Sequence, residues 1–422
     1  MRSAATPPGP FRPAFWRSRL RGPWLTSALG SVLLLLVAVV AATGFVSHAA
    51  YQPDLGRNAV LNPAYDFQPF IFSWPTHPSW LYAATQGAHV TAGLVAVPWL
   101  LAKLWSVIPR LFTWPPVRTA AMAVERASLL LLVGGALFEF ATGILNIQLF
   151  YPWKFGFVKA HYYGAWVFLA AMTVHVLVKL PVIVRSYSER GFLRPLGDDL
   201  AHTESEPHEP GGLAPPDPGA ATLSRRGLFG LVGGASLTLL AMNLGQTVGG
   251  PLRPLALLAP RGRSYGSEPD EFPVNITAAA ARLPAGATGP GWRLVLGGTR
   301  RLELTREQLL QMRLSTHSLP IACVEGWSTT QRWTGVPLRD LAALAGVRGP
   351  AQVHVESLEP RGTFRQVTLG PEQVGDARSL LALRVNGADL SLDHGYPARI
   401  IVPALPGVHC TKWVGSLDFR AA

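Results

Sequence analysis

Four long apolar runs, each bounded on one side by basic residues, constrain this chain more than any other feature. They cover residues 23–48, 80–108, 127–149 and 157–184, and a helix needs roughly 20 apolar residues to cross a bilayer. Backbone N–H and C=O groups inside a bilayer have no water to bond, so each run is expected to be helical. The sequence therefore predicts an all-α transmembrane four-helix bundle at residues 23–185.

The chain is both hydrophobic and basic. Its 422 residues are 49% hydrophobic and only 15% charged, and the formal net charge is +12. A positive balance of this size suits nucleic acid or an anionic membrane surface. Because the arginines flank the apolar runs, we expect membrane lipid as the partner and exclude nucleic acid.

The basic residues also predict how the chain crosses the membrane. Arginines crowd residues 1–22 before the first run, and Arg110 and Arg185 follow the second and fourth runs. The positive-inside rule places these segments in the cytoplasm and residues 51–79 outside. The first run lacks a small-residue cleavage site, so it is not a removed signal peptide. We expect a multi-pass cell-membrane protein with a cytoplasmic amino terminus.

A different composition follows the fourth run. Residues 186–223 are acidic and rich in proline and glycine, which predicts a flexible cytoplasmic linker. Residues 224–250 open with Arg225-Arg226 and continue as a glycine-rich apolar run.

This run resembles a twin-arginine export signal that is retained as an anchor, although its leucine and phenylalanine stand in reversed order. An ordinary fifth span is the alternative. The twin-arginine route carries folded domains, so the export interpretation implies cofactor insertion in the cytoplasm. Both interpretations place residues 251–271, a second linker, and residues 272–422 outside the cytoplasm.

Histidines occur inside the predicted spans, where ionisable residues are costly and usually functional. His89 lies in the second run, His161 and His175 lie in the fourth, and His48 ends the first. His161 and His175 are 175 − 161 = 14 residues apart, which places them on nearly one helix face about 21 Å apart. Glu139 interrupts the third run and suits either a proton path or a buried structural acid.

This arrangement resembles the four-helix membrane cytochromes b, in which one helix carries ligands to two stacked haems. The resemblance implies one or two haem b groups. His89 and His161 match best in depth, His48 is a further candidate, and His175 has no obvious mate at its level. The alternative is a helix bundle in which the histidines form hydrogen bonds without a cofactor.

The carboxy-terminal third carries both cysteines of the chain, Cys323 and Cys410. Cys323 lies in Ile321-Ala322-Cys323-Val324-Glu325-Gly326-Trp327-Ser328, where a soft thiolate could meet a metal. A single disulfide between the two cysteines is the alternative.

Short periodic segments predict an α+β domain of roughly 150 residues at 272–422. Residues 293–296 and 352–355 have the pattern of strands, and residues 305–312 and 338–345 have the pattern of short helices.

Ordered blocks in this domain resemble the sulfite-oxidase-type molybdopterin domain. The blocks are Phe272-Pro273-Val274-Asn275, Cys323-Val324-Glu325-Gly326-Trp327-Ser328, Gly335-Val336-Pro337-Leu338, Leu381-Ala382, Asn386-Gly387, Asp393-His394-Gly395-Tyr396-Pro397-Ala398-Arg399 and Lys412-Trp413. The resemblance implies that Cys323 is the protein thiolate on molybdenum and that Glu325 and Trp327 shape its turn. The residues implied to contact the pterin and its phosphate are His394, Arg399 and Lys412.

The resemblance further implies oxygen-atom transfer on a small-molecule substrate. Arg313 and Arg332 are the arginines nearest to Cys323 in sequence, so the dense cationic cluster expected around sulfite is not evident. We expect electron exchange with the quinone pool through haem b, with reduction favoured over oxidation. The alternatives are a haem-free anchor with a separate electron donor and a cofactor-free binding module.

Overall fold

The structure is a computed structural model. It describes residues 6–51, 72–117, 119–209, 212–262, 265–362 and 364–422. The chain forms two compact units, one of residues 1–41 and 91–241 and the other of residues 42–90 and 242–422. Most of the predicted outside loop at residues 51–79 lies outside the described residues.

Long helices occupy all the predicted spans. They are α1 Pro23–Ala49, α2 Leu81–Val107, α3 Ala120–Ile147, α4 Phe157–Arg190 and α5 Arg225–Val248. Among the described residues, five helical segments are long and apolar enough to cross a membrane. This is consistent with membrane association, while the direction of crossing stays a prediction.

Two helix boundaries differ from the hydropathy pattern for local reasons. Helix α3 begins seven residues earlier than the apolar run, because the Thr119 side chain caps it by accepting a hydrogen bond from Met122 N at 3.2 Å. Helix α4 continues past its first arginine and ends at Arg190, because the next residue, Gly191, has a φ of 75° that interrupts the helix. Hydropathy reports where the apolar surface ends, whereas capping decides where the helix ends.

The first unit contains the segment that was predicted to be a flexible linker. Beyond α4 it has little regular structure, but Glu206 is buried and its carboxylate accepts from Trp24 N at 3.0 Å. Arg225 is also buried and donates to Glu204 O at 2.7 Å. Helices α3 and α4 pack against each other. The segment at residues 186–223 thus makes defined contacts through Glu206. The arrangement of the long helices as a four-helix bundle stays a prediction.

The second unit contains two sheets, which confirms a sheet-containing domain after the helices. The strands are β1 Leu294–Gly297, β2 Leu302–Leu304, β3 Ser315–Ala322, β4 Ser328–Pro337, β5 Ala351–Ser357, β6 Gln366–Leu369, β7 Leu380–Val385, β8 Ala388–Asp389, β9 Arg399–Ile401 and β10 Val414–Ala421. The short helices are α6 Arg306–Gln311, α7 Leu338–Leu344 and α8 Pro371–Gly375. All four sequence-predicted elements of this domain are present.

One sheet has the order β2-β1-β10-β5-β6, and the other has the order β3-β4-β7-β8 with β9 paired to β7. The β1–β10 pair is parallel and the other pairs are antiparallel. One apolar cluster joins residues of both sheets, such as Val353 and Leu381, to Ala49 and Tyr82 at the ends of α1 and α2. These helix ends are therefore part of the domain core.

Strands β3 and β4 form the hairpin that carries Cys323. Their register pairs Ala322 with Ser328, which leaves residues 323–327 as the connecting turn. Strand β4 also pairs with β7, and Gly335 lies at an irregularity in that ladder. A Cβ on Gly335 would lie 2.1 Å from Leu381 O, so glycine is required for β4 to approach β7.

Replacing Gly335 with alanine tests this packing. We expect Gly335→Ala to destabilise the sheet by about 1–3 kcal/mol, because the methyl group must displace backbone atoms of β7. The matched control is Gly291→Ala, since no atom lies within 4 Å of that Cβ position. The measurement is the thermal unfolding midpoint of the detergent-solubilised chain, and equal midpoints for the two variants would contradict the prediction.

Candidate functional site

The turn at Cys323 is closed by its own backbone. Cys323 N donates to Trp327 O at 3.0 Å, and Gly326 N donates to Cys323 O at 3.0 Å. Gly326 has φ +91°, which L side chains rarely adopt. Cys323 is buried at 7% exposure and lines a small cleft.

A buried ion pair holds the same turn. The Glu325 carboxylate accepts from Trp327 Nε1 at 2.7 Å and from Arg261 Nη2 and Nε at 3.0 and 3.2 Å. Arg261 also donates to Asn275 O at 2.9 Å. A buried carboxylate is tolerated when it is paired and hydrogen-bonded in this way. The predicted role of Glu325 and Trp327 in shaping the turn therefore has a geometric basis.

The electrostatics around Cys323 disfavour a free thiolate. Burial raises the pKa of the Cys323 thiol to about 12, and the nearby charge of Glu325 acts in the same direction. A metal ion reverses this balance because its positive charge stabilises the thiolate ligand.

Two buried cations line the same cleft. Arg399 donates to His394 O at 3.0 Å and to Cys410 O at 3.1 Å, while Lys412 donates to Asp393 O at 3.0 Å and to Ile276 O. Within the described residues, neither cation forms an ion pair with a carboxylate. Buried cations bonded only to neutral carbonyls favour an anion nearby.

Burial has a clear effect on both cations. It lowers the pKa of Arg399 to about 10 and that of Lys412 to about 7, with repulsion from Arg399 as a further cause for Lys412. Gly395 has φ +108°, and a Cβ there would lie 3.1 Å from carbon atoms of both side chains. Glycine at this position thus lets the two cations share one region of the cleft.

His394 has a different surrounding from the two cations. Its Nε2 lies 2.7 Å from Asp270 O, and since a carbonyl only accepts, Nε2 carries the proton. The ring stacks on Phe272 with centroids 3.8 Å apart, and burial, followed by repulsion from Arg399, lowers the pKa of His394 to about 4. His394 therefore anchors residues 270–272 at the cleft, and its contact with a cofactor stays a prediction.

The segment that contains Cys323, Arg399 and Lys412 is similar to known proteins. Residues 282–422 match the family described as oxidoreductase molybdopterin binding domain. Mouse (Mus musculus) mitochondrial sulfite oxidase is 38% identical over 103 residues, which are 23% of this chain and 19% of that protein. Volvox carteri NADH nitrate reductase is 30% identical over 135 residues, or 29% of this chain and 15% of that protein. Residues 282–422 form a molybdopterin-type oxidoreductase domain.

A solved structure, the sulfane dehydrogenase SoxCD from Paracoccus pantotrophus, is 27% identical over 32% of this chain and 39% of that chain, with a TM-score of 0.29. The chain thus covers about a fifth of the mouse sulfite oxidase and less than half of the solved chain.

The residues of the molybdopterin domain fit an anionic cofactor that carries a soft metal. Cys323 offers sulfur, and Arg399 and Lys412 offer positive charge that forms no ion pair with a carboxylate of the described residues. Arg399 Nε and Thr411 Oγ1 are buried without a hydrogen-bond partner in the part of the chain that the structure describes. Sulfur donors suit molybdenum, and cationic donors suit a phosphate.

Both cysteines of the molybdopterin domain are free. The disulfide that was the alternative to metal ligation by Cys323 is therefore absent from the structure. Cys410 is buried at 3% exposure, and its carbonyl accepts from Arg399. Its side chain occupies an apolar cluster, as expected for a small buried residue.

The histidines of the long helices fall in both units. His48 and His89 lie in the unit that includes the molybdopterin domain, and His161 and His175 lie in the other. His161 Nδ1 is 3.0 Å from Glu139 Oε2 and 3.2 Å from Thr142 Oγ1. Among the described residues, no group of three or more His, Cys, Asp or Glu is placed to hold a metal ion.

Glycines make room for two of these groups. A Cβ on Gly44 would lie 2.7 Å from His89 Cε1, and one on Gly164 would lie 2.2 Å from Glu139 Oε1. The helices thus approach His89 and Glu139 closely.

Arg261 is the site residue that sequence reasoning missed. It lies in the segment assigned as an extracytoplasmic linker, 325 − 261 = 64 residues before its partner Glu325. No local pattern marks it, because the ion pair exists only after the chain has folded. The one available signal was Glu325 itself, since a buried acid in a metal-binding turn requires a cation.

The pH dependence of stability tests the buried state of His409. Burial lowers the pKa of His409 to about 4, against 6.5 in the unfolded chain. The unfolded chain binds more protons between these values, so the contribution of His409 to stability is complete above pH 6.5 and is lost as the pH falls to about 4.

The expected loss is up to about 3 kcal/mol. The His409→Phe variant keeps a ring beside Tyr51 and Phe364. Its unfolding midpoint should fall less steeply than that of the wild type as the pH is lowered. Some decline should remain, because His394 titrates in the same direction. The measurement is the unfolding midpoint of the full chain between pH 4 and pH 7. Parallel pH profiles for the two proteins would disprove the prediction.

Proposed function

We propose that this chain is a membrane-anchored molybdopterin oxidoreductase. In this proposal, haem b in the helical part exchanges electrons between the quinone pool and an extracytoplasmic molybdenum centre at Cys323, which performs oxygen-atom transfer. The observation that carries the proposal is one cleft that combines a buried thiol with two cations that form no ion pair with any carboxylate the structure describes. The match of residues 282–422 supports it.

The proposal gives separate tasks to residues of the cleft and of the Cys323 turn. Cys323 supplies the protein sulfur for molybdenum, and Arg399 and Lys412 hold the anionic end of the pterin. Glu325 and Arg261 fix the turn through their ion pair. When bound, the cofactor supplies a metal that exchanges an oxygen atom and two electrons with the substrate.

The substrate is proposed to be a small S- or N-oxide. Arg313 and Arg332 are exposed and do not line the cleft, so an arginine cluster for sulfite is not among the lining residues. The cations that do line it, Arg399 and Lys412, are assigned to the cofactor. A quinone-facing module on the same chain favours reduction over oxidation.

The surroundings of His161 support the haem part of the proposal. A metal-ligating histidine usually donates its second ring N–H to a carboxylate or another acceptor, which orients the ring. Glu139 and Thr142 lie at Nδ1 of His161 in this way. His89, with Gly44 against its ring, is the proposed partner from α2, and His48 and His175 are the candidates for a second haem.

Metal analysis of the purified chain tests the molybdenum centre. We expect about one molybdenum per chain and a thiolate-to-metal charge-transfer absorption that Cys323→Ser abolishes. Dye-coupled reduction of dimethyl sulfoxide and trimethylamine N-oxide should fall at least about tenfold in this variant, since even groups one shell removed from a metal contribute about 10- to 100-fold.

The matched control is Cys410→Ala, which removes the other buried sulfur and should leave metal content and absorption near wild type. A wild-type chain without molybdenum would rule out the proposed function. Unaltered absorption and activity in Cys323→Ser would instead favour a binding module.

A reduced-minus-oxidised spectrum tests the haem. The wild type should show a haem b band that His161→Ala abolishes or strongly reduces, together with quinol-dependent activity. His202→Ala is the control, because His202 is exposed and lies outside the five long helices. If His89 and His161 variants retain full activity with a quinol donor, the haem-free anchor is correct and this part of the proposal is wrong.

A further inference from the structure

Three consecutive carbonyls of the Cys323 turn accept hydrogen bonds from side chains at helix ends. Gln86 of α2 donates from Nε2 to Val324 O at 2.7 Å. Two neighbours at the end of α5, Gln246 and Thr247, donate to Glu325 O at 3.4 Å and to Gly326 O at 2.6 Å. All of these residues belong to the same compact unit. We call Gln86, Gln246 and Thr247 the turn clasp.

The turn also bonds back to the helix. Ser328, the first residue of β4, donates from Oγ to Thr247 O at 2.7 Å. Gln246 is fully buried, and its Nε2 also donates to Asn243 Oδ1 at 2.7 Å, which fixes the orientation of its amide. Both ends of the Gly326–Ser328 segment are therefore tied to α5.

Close packing leaves the turn clasp little freedom. A Cβ on Gly87 would lie 2.1 Å from Thr247 Cγ2, so α2 and α5 approach each other at this point only because residue 87 is glycine. A Cβ on Gly326 would lie 2.9 Å from Val90 Cβ. The helix ends thus contact the carbonyl side of the turn, whereas the Cys323 side chain lines the cleft with Arg399 and Lys412.

We propose that Gln86, Gln246 and Thr247 are positioning residues that orient the sulfur of Cys323 toward the molybdenum cofactor. This inference rests on the proposed function. Outer hydrogen bonds orient metal ligands and tune the metal, and here they come from helices of the membrane part. The ends of α2 and α5 are therefore part of the support of the metal centre.

A first experiment uses the full chain loaded with its cofactor. The Thr247→Val variant removes the hydroxyl at nearly constant volume, and Gln86→Glu replaces a donor with an oxygen facing Val324 O. We expect both variants to keep their molybdenum, because Arg399 and Lys412 are unchanged, and to show altered g values in the electron paramagnetic resonance spectrum of Mo(V). Thr247→Ser keeps the hydroxyl group and should therefore give the wild-type spectrum.

Matched controls lie on the same helices. Thr238 of α5 and Thr85 of α2 each donate to a carbonyl of their own helix, Gly234 O at 2.9 Å and Tyr82 O at 3.2 Å. Thr238→Val and Thr85→Val should leave the spectrum unchanged. Wild-type spectra for Thr247→Val and Gln86→Glu would overturn the positioning role.

A second experiment does not need the cofactor. In cofactor-free chain in detergent, iodoacetamide should alkylate Cys323 slowly, since the residue is buried at 7% exposure. Thr247→Val and Gln86→Glu should raise this rate roughly fivefold, the factor that corresponds to about 1 kcal/mol of lost hydrogen bonding. Mass spectrometry of the two cysteine peptides reports the rates separately, and Cys410 should stay unchanged.

The outcomes separate the two proposals. An equal rise at Cys410 would mean general loosening and would overturn the positioning role, as would an unchanged rate at Cys323. A chain that binds no molybdenum but shows selective alkylation of Cys323 in the variants would overturn the proposed function, while supporting the turn clasp as the device that holds Cys323.

Discussion

The buried ion pair between Glu325 and Arg261 is the interaction on which the candidate site depends. It satisfies a carboxylate that would otherwise be costly to bury within two residues of Cys323. Through Arg261 it also ties the segment before the domain to Asn275 O and to the turn. The ion pair therefore supports the conformation of the turn in which Cys323 lines the cleft.

The charged residues of the turn and of the cleft have different partners. The ion pair near Cys323 joins one positive and one negative side chain, whereas the hydrogen bonds that Arg399 and Lys412 make to the described residues all go to neutral carbonyls. The turn thus contains an ion pair, whereas the two cations at the place where an anion is proposed to bind form no ion pair among the described residues. Gly395 allows both cations to lie here, because a Cβ at this position would crowd carbon atoms of both side chains at 3.1 Å.

Much of the fold followed from local patterns in the sequence. The apolar runs located five long helices to within seven residues at each end, and the four strands and short helices predicted in the carboxy-terminal domain lie where periodicity placed them. Hydropathy is a property of neighbouring residues, so an apolar helix can be predicted without knowledge of the tertiary structure. It could not show that residues 186–223 pack through Glu206, because burial of a charged residue depends on a partner distant in sequence.

Sequence alone determined which side chains are candidates for the site: the cysteine, the cations and the histidines of the long helices are residue types whose proposed roles follow from their own chemistry. Tertiary structure decided how they are held. Arg261 pairs with Glu325 across 64 residues, and the turn clasp joins Gln86 to Val324 across 238 residues. Such contacts form only when distant segments fold together, and no periodicity or spacing within either segment encodes them. The physical reason is that hydrogen bonds depend on positions in space, whereas sequence patterns report only the near neighbours of each residue.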